Sequence, residues 1–143
     1  MDLNTKNKRM MGVDYGDVRT GLALSDISGT LASAYTTIKE GGMRNTAKKV
    51  AEEAEKNGVC QIVVGLPKNM DGSEGGRAEL VKAFVDILSE LTPLPIAMYD
   101  ERLSTVLSHR MLSITGVGGK KRKNVVDALS AEIILQNYLD KNR

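Results

Sequence analysis

The stretch RMMGVDYGDVRTGLALSD, residues 9 to 26, decides how the fold is read. An apolar run from Met10 reaches a carboxylate at Asp14, the turn YGDVR follows, and a second apolar run over 20–25 ends on Asp26. Two strand-like runs separated by so few residues predict an antiparallel hairpin, with strands over 9–14 and 20–25. An acid at the end of an apolar strand is the unusual feature. A buried carboxylate is costly unless it has a hydrogen-bonding turn, a counter-charge or a metal. Asp14 therefore has two readings: it starts the turn by bonding the backbone of Gly16, or it serves chemistry. Asp26 reads as a turn residue, and Arg19 as a residue that orders the hairpin rather than acts chemically.

Working outward, LASAYTTI at 31–38 predicts a third strand after the turn DISGT. In RNTAKKVAEEAEKNG, Ala47, Val50, Ala51 and Ala54 fall on one helical face, and Asn57-Gly58 supplies the stop. CQIVVGL at 60–66 is apolar on both faces, as a central strand covered by helices should be. A helix over 77–91 shows Val81, Phe84, Val85, Leu88 and Leu91 on one side, and Pro93 and Pro95 end it. IAMY at 96–99 is a short fifth strand running into DERLS. Another helix is expected over 104–113, then a flexible basic loop GVGGKKRKN, then a last helix from Asn124 to about Lys141. Three strands as a meander, followed by alternating helices and strands, give a mixed α/β layer architecture. The 143 residues suit a single domain, with residues 1–8 expected to fray.

The composition narrows the function. Hydrophobic residues make up 41% and charged residues 27%, ordinary values for a globular protein, while aromatic residues make up only 3% with no Trp. So few rings argue against a single-strand binder that stacks bases on a row of aromatics. The net charge of +2 does not by itself imply a polyanion partner, but GGKKRKN at 118–124 sets four cations side by side. The one cysteine, Cys60, excludes an internal disulfide and suits a reducing compartment; it reads as a buried, inert thiol. No apolar run approaches the roughly 18 residues needed to span a bilayer. The N-terminus lacks a signal-peptide core, so a cytoplasmic protein without a membrane partner is expected.

Two further acids stand where acids cost something. Glu101 follows the fifth strand directly, and ligand sites of α/β folds gather at such strand ends. Its local alternative is dipole compensation in a helix that Asp100 or Ser104 caps. Asp127 shares a stripe with Ala131 and Ile134, or acts as the acid of a capping arrangement begun by Asn124. Two strand ends and a helix start can converge at one edge of a sheet. Three carboxylates with only one histidine in the chain, His109, are hard oxygen donors suited to Mg²⁺ or Mn²⁺ rather than zinc. Such a cluster supports attack of water on a phosphodiester.

VDYGDVRTGLALSD, VVGLPKNMDGSEGGRA, YDERLST and VVDALSAEIIL, in this order and spacing, resemble the YqgF-type family over residues 9 to 141. That family comprises Holliday-junction-resolvase-like nucleases, also described as nucleases for the 5′ end of pre-16S ribosomal RNA. The resemblance implies an RNase H-like fold, a five-stranded mixed sheet of order 3-2-1-4-5 with helices on both faces. It implies catalytic and metal-binding roles for Asp14, Glu101 and Asp127. Relatives that resolve DNA junctions place an additional acid at the end of the fourth strand, where this chain has Gly65 to Pro67, so the metal cage differs from theirs.

With a nucleic-acid substrate implied, the basic residues acquire a use. The glycine-rich loop from Lys68 to Gly76 precedes a helix N-terminus, which can offer amides to a phosphate; an ordinary polar loop with a cap at Ser73 is the alternative. Lys68, Arg77, Lys120, Lys121, Arg122 and Lys123 are candidate phosphate contacts, of the kind that position a substrate without reading sequence. The expected partners are structured RNA or branched DNA, with ribosomal precursor particles as a further candidate, for a monomer or homodimer. Two other functions remain open. D-x-G-x-x-x-x-G at 14–21 also resembles the phosphate-binding hairpin of the actin and sugar-kinase superfamily, though those enzymes clasp ATP between two such domains. A non-catalytic nucleic-acid or ribosome-assembly module would keep the fold without turnover.

Overall fold

Residues 7–39, 41–67, 75–100 and 119–142 are described by a computed structural model, with side chains of the last segment described from Asp127 onward. The hairpin forms where the apolar runs require it: β1 (Met10–Asp14) pairs antiparallel with β2 (Thr20–Ser25), setting Asp14 opposite Gly21. β3 (Ala32–Ile38) extends the meander on the far side of β2. Helix α1 (Met43–Lys56) then carries the chain back, so that β4 (Gln61–Leu66) lies parallel beside β1. Helix α2 (Gly76–Leu91) does the same for β5 (Ile96–Asp100), parallel to β4. The sheet order is β3-β2-β1-β4-β5, the order the family resemblance implies. A final helix, α3, spans Gly119–Lys141.

Side-chain alternation along the strands builds two cores, one on each face. Met11, Val13, Leu22, Ile62 and Val64 pack against Ala47, Val50 and Ala54 of α1 and Val81, Phe84 and Leu88 of α2. On the opposite face Ala23 and Val63 meet Ala131, Ile134, Leu135 and Leu139 of α3. β4 is buried on both sides, which is why its sequence reads as an uninterrupted apolar run. Alternation also puts Asp14 on the α3 face, in line with Met10 and Gly12.

Two glycines let α3 lie that close. A Cβ at Gly12 would stand 2.7 Å from the carbonyl oxygen of Ala131, and one at Gly21 would collide with the carbonyl of Asp127. Gly in a strand interior commonly marks such a close backbone approach.

The structure departs from expectation in four places. The basic run is no loop: α3 begins at Gly119, because Lys and Arg are good helix formers and nothing between them interrupts the helix. Asn124 is therefore inside the helix and cannot cap it, which removes the capping account of Asp127. The N-cap of α2 is Gly75, which has no side-chain cap bond, rather than Ser73. Cys60 is only partly buried, since it precedes β4 instead of lying within it. The helix expected over 104–113 lies outside the described residues. No helix among the described residues is long and apolar enough to cross a membrane.

Candidate active site

Backbone register brings Asp14 and Asp127 to the end of the hairpin. Asp14 ends β1 opposite Gly21, and α3 passes over Gly21 with the backbone of Asp127 against it. Two residues far apart in sequence thus arrive at one edge of the sheet, on the same face.

Arg19 completes the junction. Its Nε donates a hydrogen bond to Oδ2 of Asp127 at 2.8 Å, with the two side chains 28% and 18% exposed. A pair at this depth is screened less than a surface pair. Its loss should cost between the ~1 kcal/mol of an exposed ion pair and the ~3–5 kcal/mol of breaking a buried one. Burial pushes the Asp127 carboxyl above the ordinary carboxylate range, and the guanidinium groups of Arg19 and Arg77 pull it only part of the way back.

The turn that carries Arg19 is held from several sides. The amide of Gly16 donates to Oγ1 of Thr20 at 3.3 Å. A Cβ at Gly16 would collide with the carbonyl of Arg19. The Tyr15 ring stacks on Phe84 of α2 with centroids 4.4 Å apart, and the Tyr15 carbonyl accepts a hydrogen bond from Nη2 of Arg77 at 3.1 Å. Burial beneath the turn raises the Tyr15 hydroxyl, Asp17 adds to this, and Arg77 opposes it. Tyr15 therefore ties the start of α2 to the end of β1, and brings Arg77 close enough to act on Asp127.

Of the residues picked from the sequence, Asp14, Asp127 and Arg77 come together. Glu101 and Lys68 lie outside the described residues. Lys120, Lys121, Arg122 and Lys123 fall in the first turns of α3, upstream of Asp127 on the same helix, and their side chains are outside the description. Arg19 departs from expectation, since it orders Asp127 across the fold as well as sitting in the hairpin turn. Only its place in the turn after Asp14 pointed to it in the sequence. Asp26 is a turn residue as expected: it accepts bonds from the Ser28 hydroxyl and the amides of Thr30 and Leu31.

No group of three side chains that could hold a metal ion is present among the described residues. The acids that register places at this edge, Asp14 and Asp127, are hard oxygen donors of the type that fits Mg²⁺ or Mn²⁺. A cavity of about 530 Å³ between α1 and the segment after α2 is lined by Ala51, Ala54, Val59, Leu91 and Leu94. It opens at the start of β4 and β5, the opposite end from the acids, and its lining is mostly apolar. The acids lie at the C-terminal end of the sheet strands, the end where ligand sites of parallel strands commonly gather.

The sequence matches the family described as "RuvX: Holliday junction resolvase" over residues 8–141. The chain belongs to this family. A relative from Thermoanaerobacter pseudethanolicus, named "Putative pre-16S rRNA nuclease", is 43% identical over 94% of this chain and 98% of its own length. A relative of the same name from Caldanaerobacter subterraneus is 44% identical, also over 94% of this chain and 98% of its own. Among solved structures, RuvC of Thermus thermophilus superposes with a TM-score of 0.60, covering 94% of this chain and 96% of that one, at 13% identity. At that identity the likeness speaks for the fold, which is RNase H-like.

Proposed function

We propose that this RuvX-family chain is a metal-dependent endonuclease that hydrolyses phosphodiesters, acting on the 5′ end of pre-16S ribosomal RNA. The observation that carries the reading is the convergence of Asp14 and Asp127 on one sheet edge, with Arg19 and Arg77 beside them. The names of the relatives supply the substrate class. Asp14 and Asp127, with Glu101 as a third acid, would hold Mg²⁺ or Mn²⁺. The ion, when bound, supplies an activated water and charge neutralisation at the phosphate.

The chain itself contributes orientation. β1 and β2 fix Asp14 by register, and α3, seated on Gly12 and Gly21, fixes Asp127 against it. Arg77, anchored through one nitrogen to the Tyr15 carbonyl, would offer its other guanidinium N–H groups to a phosphate oxygen, and the sequence sets four further cations in the first turns of α3. Such contacts position the backbone of a structured RNA without demanding a sequence. Neither the hairpin nor the acids need a second ATP-clasping domain.

The deciding experiment incubates purified protein with a precursor transcript spanning the 5′ end of 16S RNA, and in parallel with a four-way DNA junction, with Mg²⁺, Mn²⁺ or chelator. Metal-dependent cutting of the transcript that Asp14→Asn abolishes is expected. The family description makes junction resolution the second reading. Cutting of the junction alone would replace the RNA assignment with it, and nucleic-acid binding with no turnover under any metal would leave a binding module.

A further inference from the structure

The ion pair at the site does more than hold Asp127 in place. Arg19 reaches Asp127 through Nε, and among the described residues its terminal nitrogens have no partner. The turn that bears it projects into solvent, with Asp17 exposed and Val18 69% exposed, so a ligand can approach it. Oδ2 of Asp127, the oxygen Arg19 occupies, belongs to one of the two acids that backbone register brings to this edge. A divalent cation on that oxygen and a guanidinium 2.8 Å from it are like charges competing for one acceptor. Arg77 is tethered differently: it donates to the Tyr15 carbonyl rather than to Asp127, so a cation on Asp127 does not take its hydrogen-bond acceptor.

Building on the nuclease reading, we propose that Arg19 is the counter-ion that Asp127 exchanges for the divalent cation, and that the released guanidinium binds a substrate phosphate. Arg19 is then a positioning residue with two partners. In the resting protein it neutralises a half-buried carboxylate. When a cation takes over that task, its planar fork is free for a phosphate oxygen, where guanidinium geometry is well matched. Metal and nucleic acid consequently bind cooperatively through one side chain, and each raises the affinity for the other by the same factor.

The test uses Mn²⁺ alone, followed by the resonance signal of the free ion, and an RNA stem-loop at 4 °C whose integrity is checked on a gel after each titration. In the parent protein Mn²⁺ should tighten RNA binding about fivefold or more. Arg19→Gln should bind Mn²⁺ alone more tightly than the parent and lose most of that coupling. Its RNA affinity in Mn²⁺ should also depend less on salt, by about 0.7–0.9 in the logarithmic slope for one lost phosphate contact. Arg77→Gln should weaken RNA binding yet keep the coupling, and Arg19→Lys, which retains the charge without Nε, should fall between parent and Gln. Melting curves establish that each variant is folded, and the Lys variant carries the comparison if the Gln variant is not.

Weaker Mn²⁺ binding by folded Arg19→Gln would mean that Arg19 merely orients Asp127, and would overturn the exchange. Parent protein that binds Mn²⁺ and RNA independently would also overturn it, while leaving the nuclease reading intact. Parent protein that binds no Mn²⁺ at all would overturn both.

Discussion

The two ends of β2 solve the same problem in opposite ways. At one end Asp26 takes its hydrogen bonds from its own loop, from Ser28, Thr30 and Leu31. Its carboxyl is held down at about 2, first by the Ser28 hydroxyl and then by the backbone amides. At the other end Asp127 lies over Gly21, half-buried, and accepts its hydrogen bond from Arg19, a side chain 108 residues away. Burial raises its carboxyl despite two nearby guanidinium groups. A carboxylate satisfied by the amides of its own turn is committed to that turn. One whose counter-charge is a side chain can change partners, as the proposed exchange with a cation requires.

That contrast can be broken most directly by activity. Asp14→Asn and Asp127→Asn should each lower cleavage by about a thousandfold, the scale of losing one preorganised charged group in an active site. Asp26→Asn should stay within about threefold of the parent, since its network is local. Equal losses at the two ends, measured as single-turnover rates on the precursor transcript, would erase the distinction.

Packing gives the next largest effect. Gly21→Ala places a methyl into the Asp127 carbonyl, a collision with backbone that α3 must move to relieve. It should cost about 3 kcal/mol of stability, at the upper end of overpacking effects. Activity should fall with it, because the same movement displaces Asp127. Gly29→Ala, in the Asp26 loop at φ 71°, meets the backbone preference and a Lys8 carbonyl oxygen 3.0 Å from the new Cβ, and should cost about 1–2 kcal/mol with no change in cleavage. Chemical denaturation of both variants checks the pair.

The smallest effects are those of pH, and they should carry opposite signs. Asp26 is depressed from 3.8 to about 2, so its contribution is present above the unfolded value and is lost as pH falls through about 2. Asp127 is raised, so its neutral form favours the folded state. That contribution is present below the unfolded value and is lost as pH rises through the raised folded value. In metal-free protein, Asp127→Asn should therefore gain melting temperature relative to the parent as pH rises through that window. Asp26→Asn should lose it relative to the parent above the ordinary carboxylate range. Melting temperatures of the three proteins from acid to neutral pH test both signs.

Much of this was legible in the chain because it is local. The runs at 10–14 and 20–25, the alternation in β1 and the helical spacing of Ala47, Val50 and Ala54 each encode an element through nearest neighbours, and all appear where the patterns put them. Asp14 and Asp127 were conspicuous as acids set among apolar residues. The start of α3 is not legible locally because GVGGKKRKN carries loop composition, while the helix propensity of Lys and Arg prevails once Ala131, Ile134 and Leu135 anchor the helix on the sheet. The partner of Arg19 could not be read at all. Its bond to Asp127 spans 108 residues and exists only because glycines at 12 and 21 let a helix rest on the strands. The sequence by itself determined which segments are strands and helices, and which acids are costly to bury, since spacing and hydrophobicity act over a few residues. Only the tertiary structure decided which charge answers which acid, because that depends on sheet register and the closeness of one helix, and neither is written in any local stretch.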